Sequence, residues 1–244
     1  MTDALLLETA ERVLAATCTH EAIQAAERDG WAPAVWERVA AVGLPWIALV
    51  EGGDVEDALA MLRAAGRHAA PIPLAETGLL AGWLLAGAGL EVGEDPLTVV
   101  PGRPEDTLTL SAAGRLSGVA HAVPWARSVA RIAALVPSSD DRWSVAVVPA
   151  ASVASLDRRV NLAGEPRDTV TFDGPAEVAP AAPGVDADAL RCRGALTRVA
   201  LMAGALEAMS RLTVGYTAER VQFGRPVARF QAVQRHLVDG AQDA

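Results

Sequence analysis

Apolar positions along the chain change period twice, which divides it into a helical opening, a strand-rich middle and a helical end. Leu5, Leu6, Ala10, Val13 and Leu14 recur at helical spacing, with Thr2 or Asp3 placed to cap the start. A second helix is predicted from Pro33 through Val42, with Pro33 in its first turn and Gly43 as its stop. A third covers Asp54 to Arg67. Pro71 and Pro73 then interrupt the pattern, and Thr77 to Ala86 reads as a fourth, apolar helix.

Between Glu91 and Pro180 the pattern shortens to runs of Val, Ile, Leu and Thr set between Gly, Pro, Asp and Ser clusters. The runs are Leu97 to Val100, Thr107 to Leu110, Ile132 to Val136, Ser144 to Val148 and Thr169 to Phe172. Strands so spaced predict a small β-barrel or sandwich, and not βαβ units. A Pro- and Ala-rich linker follows around Ala179 to Pro183. One long amphipathic helix is then predicted from about Ala187 to Arg220, and another from near Arg229. The expected fold class is α+β: an N-terminal helical domain over 1–90, a middle β-domain over 91–180, and the start of a C-terminal helical domain of four-helix-bundle type over 181–244. A bundle needs partner helices to bury its apolar face. The reading is therefore of a shortened chain, an abbreviated subunit, or a chain that completes its bundle with another.

Composition narrows the functions. Acidic residues outnumber basic ones 30 to 21, a net charge of -9, whereas a nucleic-acid partner needs concentrated positive charge. No basic amphipathic arm suggests a membrane surface. The longest apolar run, Gly78 to Leu90, is short and Gly-rich for a bilayer span, and the start of the chain lacks the basic and apolar blocks of a signal peptide. A cytoplasmic protein is expected. Cys18 and Cys192 lie far apart with no metal-ligand spacing and are read as two buried thiols; no metal site is expected. No repeat or phosphate-binding Gly loop occurs, and Gly52-Gly53 signals only a turn.

The densest chemistry lies from Tyr216 to Gln234, YTAERVQFGRPVARFQAVQ. Gly224 can take the backbone angles that end a helix, and Pro226 prevents continuation. Arg220 falls on the last helical turn, where the dipole favours a cation and its fork can grip a phosphate. Gln231 offers both a donor and an acceptor from the next helix. Taken alone, the same residues also suit a helix cap at Arg220 and a core-filling Phe223. The whole block resembles a hallmark of the acyl-CoA dehydrogenase family, in which a long helix ends in Arg-x-x-Phe-Gly and a new one opens near Phe-Gln. That resemblance implies FAD as cofactor, with Arg220 and Gln231, and more weakly Phe223, at its pyrophosphate and adenine end, commonly for FAD housed by a neighbouring subunit. It also implies an acyl-CoA substrate, a homo- or hetero-oligomer, and an electron-transfer flavoprotein or similar acceptor.

Other stretches are similar to the family at lower specificity. They include Trp31 to Leu49 followed by Glu51-Gly52-Gly53; Gly66-Arg67-His68 with Pro71, Pro73 and Leu74; Gly114-Arg115-Leu116-Ser117-Gly118 as a turn; and Val123 to Leu135 as a strand pair.

Departures from the family pattern bear on catalysis. No Thr-Glu-Pro loop or Gly-Ser-Asp turn appears between Gly87 and Leu110. Ala120-His121-Ala122-Val123-Pro124-Trp125 stands where the family carries flavin-facing Trp and Thr, so Pro124 replaces a hydroxyl donor and Trp125 reads as a strand-end core residue or a ring shield. Removing the α-proton of an acyl thioester needs a carboxylate. Leu196-Thr197-Arg198 has Thr where some members carry that Glu, and Glu207, three turns on, reads as an exposed helical residue. No catalytic base is assigned. His68 and His121 read as hydrogen-bonded structural residues and His236 as solvated. Three functions remain open: an acyl-CoA dehydrogenase-like flavoprotein performing α,β-dehydrogenation, a non-catalytic FAD-binding partner subunit of a heteromeric enzyme, and a cofactor-less scaffold of the same fold.

Overall fold

A computed structural model of the chain describes residues 4–50, 53–138 and 142–243. The caps proposed at Thr2 or Asp3 and the turn at Glu51-Gly52 lie outside these residues. The fold is α+β: helices, then two β-sheets, then helices again.

Four helices open the chain: α1 (Ala4–Thr17), α2 (His20–Asp29), α3 (Pro33–Ala41) and α4 (Val55–Arg67). Pro33 begins α3, and the Asp54 side chain caps α4 by accepting from the Asp57 N–H at 2.7 Å. The pattern missed α2. Only Ala26 of α2 is buried, so no apolar stripe announces it; Thr19 at its start and left-handed Gly30 at its end define it instead. Leu14, Val35, Trp36, Val39 and Met61 centre the helical core.

The fourth predicted helix is irregular. Residues Ala75–Gly82 form a π-helical segment that runs into α5 (Trp83–Gly87). Every residue of the π segment is buried. Gly78 and Gly82 give it room, since a Cβ on either would clash with a neighbouring carbonyl, that of Pro45 or of Thr77. Thr77 fastens it to the next layer: its hydroxyl donates to the Leu97 carbonyl at 3.2 Å and accepts from the Leu97 N–H at 3.0 Å.

The middle of the chain is a sandwich of two four-stranded sheets. One orders β1 (Leu97–Val99), β4 (Arg131–Pro137), β5 (Trp143–Pro149) and β8 (Glu177–Pro180), with β1 parallel to β4. The other orders β2 (Thr109–Leu110), β3 (Arg115–Pro124), β7 (Arg167–Pro175) and β6 (Ser155–Asp157). The first sheet is covered on both faces. Leu80, Leu84 and Leu85 pack on Val145 and Val147, while Ile132, Ala146 and Val148 face Leu116 and Phe172 of the second sheet. Its strands therefore read as unbroken apolar runs, whereas β7 alternates because one of its faces meets solvent. Two expectations need correction here. Only Gly114 of the Gly114–Gly118 stretch sits in the turn, and Leu116 to Gly118 belong to β3, the longest strand. Ala179 and Pro180, read as linker, form part of edge strand β8.

The end of the chain is α6 (Ala187–Glu219), a hairpin of β9 (Val221–Gln222) and β10 (Arg225–Pro226), and α7 (Gln231–Asp243). Leu190, Thr197 and Gly204 are buried and recur every seventh residue, one stripe of the helix. Along that stripe α6 meets α4 backbone to backbone: a Cβ on Gly204 would fall inside the Arg63 carbonyl, and one on Gly66 inside the Leu201 carbonyl. Val199, Met202, Met209 and Leu212 stand 61–69% exposed, so most of the apolar surface of α6 lies off that stripe. Cys192 is exposed on α6, contrary to the reading of two buried thiols, and Cys18 is half-buried.

Candidate functional site

A cavity of about 630 Å³ opens where the helical layer, the sandwich and α6 meet. Its walls come from the end of α2, the end of α4 and the residues after it, the loop from Asn161 to Arg167, Trp125, and one face of α6 around Arg198 and Ala205.

Trp125 follows β3 in the left-handed region at φ 55 and is 2% exposed. That conformation is costly for a bulky side chain and needs support from its surroundings. The next turn supplies it. Asp168, fully buried on β7, accepts from the Arg127 N–H at 3.1 Å, from the Arg127 guanidinium, and from the Arg159 N–H at 3.1 Å. A carboxylate with this many donors is satisfied despite its burial. Trp125 is thus a packed core residue, as one of its two sequence readings had it, and it also forms a wall of the cavity.

Two ion pairs bear on the cavity, one through Arg198 and one through Glu165 and Arg167. Arg198 pairs with Glu76 of the π segment, whose side chain is 1% exposed. The Glu76 charge, opposed by burial, raises the Arg198 guanidinium further above its ordinary range. Arg167 donates to Glu165 at 2.6 Å, and Asn161 donates to the same carboxylate oxygen at 3.0 Å. Burial lowers the Arg167 guanidinium, and Glu165 partly restores it. Glu76 was not singled out in the sequence. A lone Glu in an apolar run was its only signal, and its partner lies 122 residues away.

The residues considered for a base sit elsewhere or are occupied. The Thr197 hydroxyl is buried and donates to the Gly194 carbonyl at 2.7 Å. Glu207, expected to be an exposed helical residue, instead joins α6 to α4: it pairs with Arg63, and Arg67 donates to it at 2.7 and 3.1 Å. His68 meets Glu11 at 2.8 Å, and His121 meets Asp106 at 3.2 Å, both hydrogen-bonded as expected.

Arg220 caps the end of α6, Phe223 sits in the turn of the closing hairpin and Gln231 opens α7; none of the three lines the cavity. Arg220 stands about 33 Å along the helix axis from Arg198, at 1.5 Å per residue. The helix ends at Glu219, one residue short of the predicted Arg220, and Gly224 does not serve as its stop. Phe223 and Gly224, at φ 48 and 76, form the two-residue turn between β9 and β10, and helix stops and such hairpins use the same glycine geometry. The Arg220 N–H donates to the Tyr216 carbonyl, and its own carbonyl accepts from Val227, both at 2.8 Å. Its guanidinium is exposed and has no partner among the described residues. Phe223 is 92% exposed and so fills no core; it meets Phe230 edge-on at 6.2 Å, with Arg225 stacked over Phe230 at 4.2 Å.

FAD can be tested against both places. Either side of the hairpin, Arg220 offers a guanidinium with no partner among the described residues and Gln231 an exposed amide, groups that suit a pyrophosphate and an adenine. The end of β3 fits a flavin ring poorly: Pro124 has no N–H or hydroxyl, and its carbonyl already accepts from Thr98 Oγ1 at 2.6 Å.

Comparison with known proteins agrees with this architecture. Residues 193–244 match the acyl-CoA dehydrogenase C-terminal domain. The chain is 32% identical over 239 residues to acyl-CoA dehydrogenase FadE28 of Mycobacterium tuberculosis, covering 87% of this chain and 67% of that protein. It is 28% identical to acyl-CoA dehydrogenase IpdE2 of the same organism, covering 77% of this chain and 52% of the relative. The chain thus spans between half and two thirds of the curated relatives it matches. It also superimposes over its whole length on 74% of a chain in the ChsE4-ChsE5 complex from Mycobacterium tuberculosis, with TM-score 0.85 at 22% identity. By its sequence and its fold, this chain belongs to the acyl-CoA dehydrogenase family.

Proposed function

We propose that the chain serves the α,β-dehydrogenation of an acyl-CoA thioester, with FAD as hydride acceptor. The observation that carries this reading is the cavity of about 630 Å³ at the junction of helices and sandwich, with buried Trp125 as one wall. Pockets of this size at layer junctions suit small molecules. In this reading residues 1–90, 91–180 and 181–244 act as three units, and the cavity is formed where they meet. FAD, when bound, supplies the acceptor for the β-hydrogen. Arg220 would hold its pyrophosphate and Gln231 its adenine end, with Phe223 beside them. The test is to purify the protein, follow the flavin absorbance band, and assay dye reduction with acyl-CoA thioesters. Protein that holds no flavin and reduces no dye, alone or with a partner chain, would refute the reading.

A second reading is favoured by the state of the carboxylates. A general base must be free to accept a proton. Of the carboxylates at or beside the cavity, Glu76 is committed to Arg198 and Glu165 to Arg167, and Glu27, unpaired among the described residues, stands exposed on α2; Glu207 is held by Arg63 and Arg67. Pro124 offers a flavin ring no donor. Both facts suit a subunit that lends Arg220 and Gln231 to FAD while the proton-abstracting base comes from elsewhere. The exposed apolar surface of α6 suits a second chain, and the matched ChsE4-ChsE5 structure is itself a complex of two proteins. Electron-transfer flavoprotein is the expected onward acceptor in either case. Co-expression with a catalytic homologue separates the readings, since turnover by this chain alone rejects the subunit role.

A further inference from the structure

A second cavity, of about 230 Å³, opens where β1, β4 and β5 reach the first turn of α6 and the loop over 101–108. It shares no lining residue with the larger cavity. At about 30 Å³ for each water, its volume is that of about eight. A ligand held there is a single ring or a short chain, and not a nucleotide.

Its chemistry is one-sided. Two lining residues are charged, Arg103 and Asp106, and every other is apolar or glycine; Val100 and Leu190 are buried, and Trp143 is the one aromatic among them. Arg103 donates from Nε to Glu105 at 2.6 Å, and both side chains stand nearly half exposed, so that cation is answered at the surface.

Asp106 is placed differently, with its side chain only 8% exposed. Its Oδ1 accepts from the His121 N–H at 2.7 Å and meets the His121 ring at 3.2 Å, while Oδ2 accepts from the Arg103 N–H at 2.8 Å. No arginine side chain pairs with it among the described residues. The backbone donors are neutral, and an imidazole is a neutral donor until it is protonated. The carboxylate is therefore hydrogen-bonded but lacks a permanent counter-ion, and Oδ2 keeps one acceptor position open. Buried charges ordinarily meet an opposite charge. A small ammonium supplies it: its apolar body fills the walls, its N–H groups reach Oδ2, and an indole ring attracts a cation.

We propose that this second cavity binds a small organic amine, a protonated primary amine carried on one ring or a short apolar chain, with Asp106 as its counter-ion. The proposal is independent of the acyl-thioester reading above.

The test is titration of the purified protein, with whatever flavin and partner it retains, by calorimetry and ligand-observed NMR. The probes are phenethylamine, 2-phenylethanol and phenylacetate, which share a body and differ in charge. Phenethylamine is expected to bind with a dissociation constant on the order of 0.1–1 mM, the range open to so small a ligand. The alcohol should bind about tenfold more weakly, and the anion should not bind. Asp106→Asn should bring amine and alcohol to within about twofold of each other. Ala187→Phe, which fills the cavity from α6, should weaken both about tenfold and serves as the test if Asp106→Asn does not fold. Phenethylamine that fails to bind, that binds no better than the alcohol, or whose affinity survives Ala187→Phe overturns the proposal. None of these outcomes bears on flavin or on the acyl thioester.

Discussion

Arg198 on α6 reaches into the helical layer to pair with Glu76, a carboxylate 1% exposed in the first turn of the π-helical segment. Removing one member of such a pair leaves the other buried without compensation, at a cost of about 3–5 kcal/mol. Glu76→Ala should therefore unfold at clearly lower urea concentration than the native protein. The double change to Gln at both positions should recover much of that loss. A Glu76→Ala midpoint equal to native would show the pair to be incidental.

The contact of α6 with α4 at Gly204 predicts an opposite pair of effects. Gly204→Ala should destabilise by about 2 kcal/mol, because the added methyl must push two backbones apart. Gly215, on the same helix, has nothing within 4 Å of its would-be Cβ. Gly215→Ala should stabilise by about 0.5–1 kcal/mol through helix propensity. Thermal melts of the two variants should move in opposite directions.

Acid should loosen the same contact. Burial works against ionised Glu207, but hydrogen bonds from Arg67 and Arg63 outweigh it and hold the carboxyl below its ordinary 4.5. The folded value lies below the unfolded one, so this stabilisation is present above about pH 4.5 and is lost as pH falls through the folded value. Glu207→Gln should be less stable at neutral pH and show a shallower acid limb in unfolding. An unchanged acid limb would remove Glu207 from the account.

The two cysteines should differ in reactivity. Burial raises the Cys18 thiol to about 11, against a lesser pull from Thr17, so little thiolate forms at pH 8. Cys192 is exposed. Native protein should take up one equivalent of iodoacetamide quickly, at Cys192 by mass spectrometry, and a second only in denaturant.

Arg220→Ala separates binding from stability. The guanidinium has no partner to lose among the described residues, so the melting temperature should barely move, within the shift expected for a surface change of about 0.5 kcal/mol. Flavin retention should fall, and Arg220→Lys should restore it only in part. A variant that keeps its flavin fully would exclude Arg220 from the cofactor.

Much of this was legible in the sequence where a local residue dictates a local geometry. Pro33 opened α3, the helix read from Asp54 begins just after that residue, and Gly43 stopped a helix, as their chemistry requires. The β4 and β5 runs announced strands of a small barrel or sandwich, and the structure has the sandwich. Helix α2 was missed because it buries a single alanine, and the π segment because a wholly buried helix carries no period to betray its pitch. The span of α6 was read to within one residue of its end, but the hairpin after it was not, since Gly224 at positive φ serves a hairpin as well as a helix stop. The cavity was invisible for a different reason. Trp125, Glu165 and Arg198 come from three distant stretches, and only the packing of three layers brings them to one wall.

The double hydrogen bond of Thr77 to Leu97 acts as a datum for that wall. One hydroxyl meets both backbone groups of a single β1 residue, which fixes the π segment against the sheet in height and in rotation. Glu76 is the adjacent residue and inherits that reference. Arg198 is thereby indexed to the sandwich, even though it grows from a helix whose far end carries the hairpin. A twist or slide of α6 on contact with another chain would be absorbed along the arginine side chain, leaving its charged tip in register with the cavity.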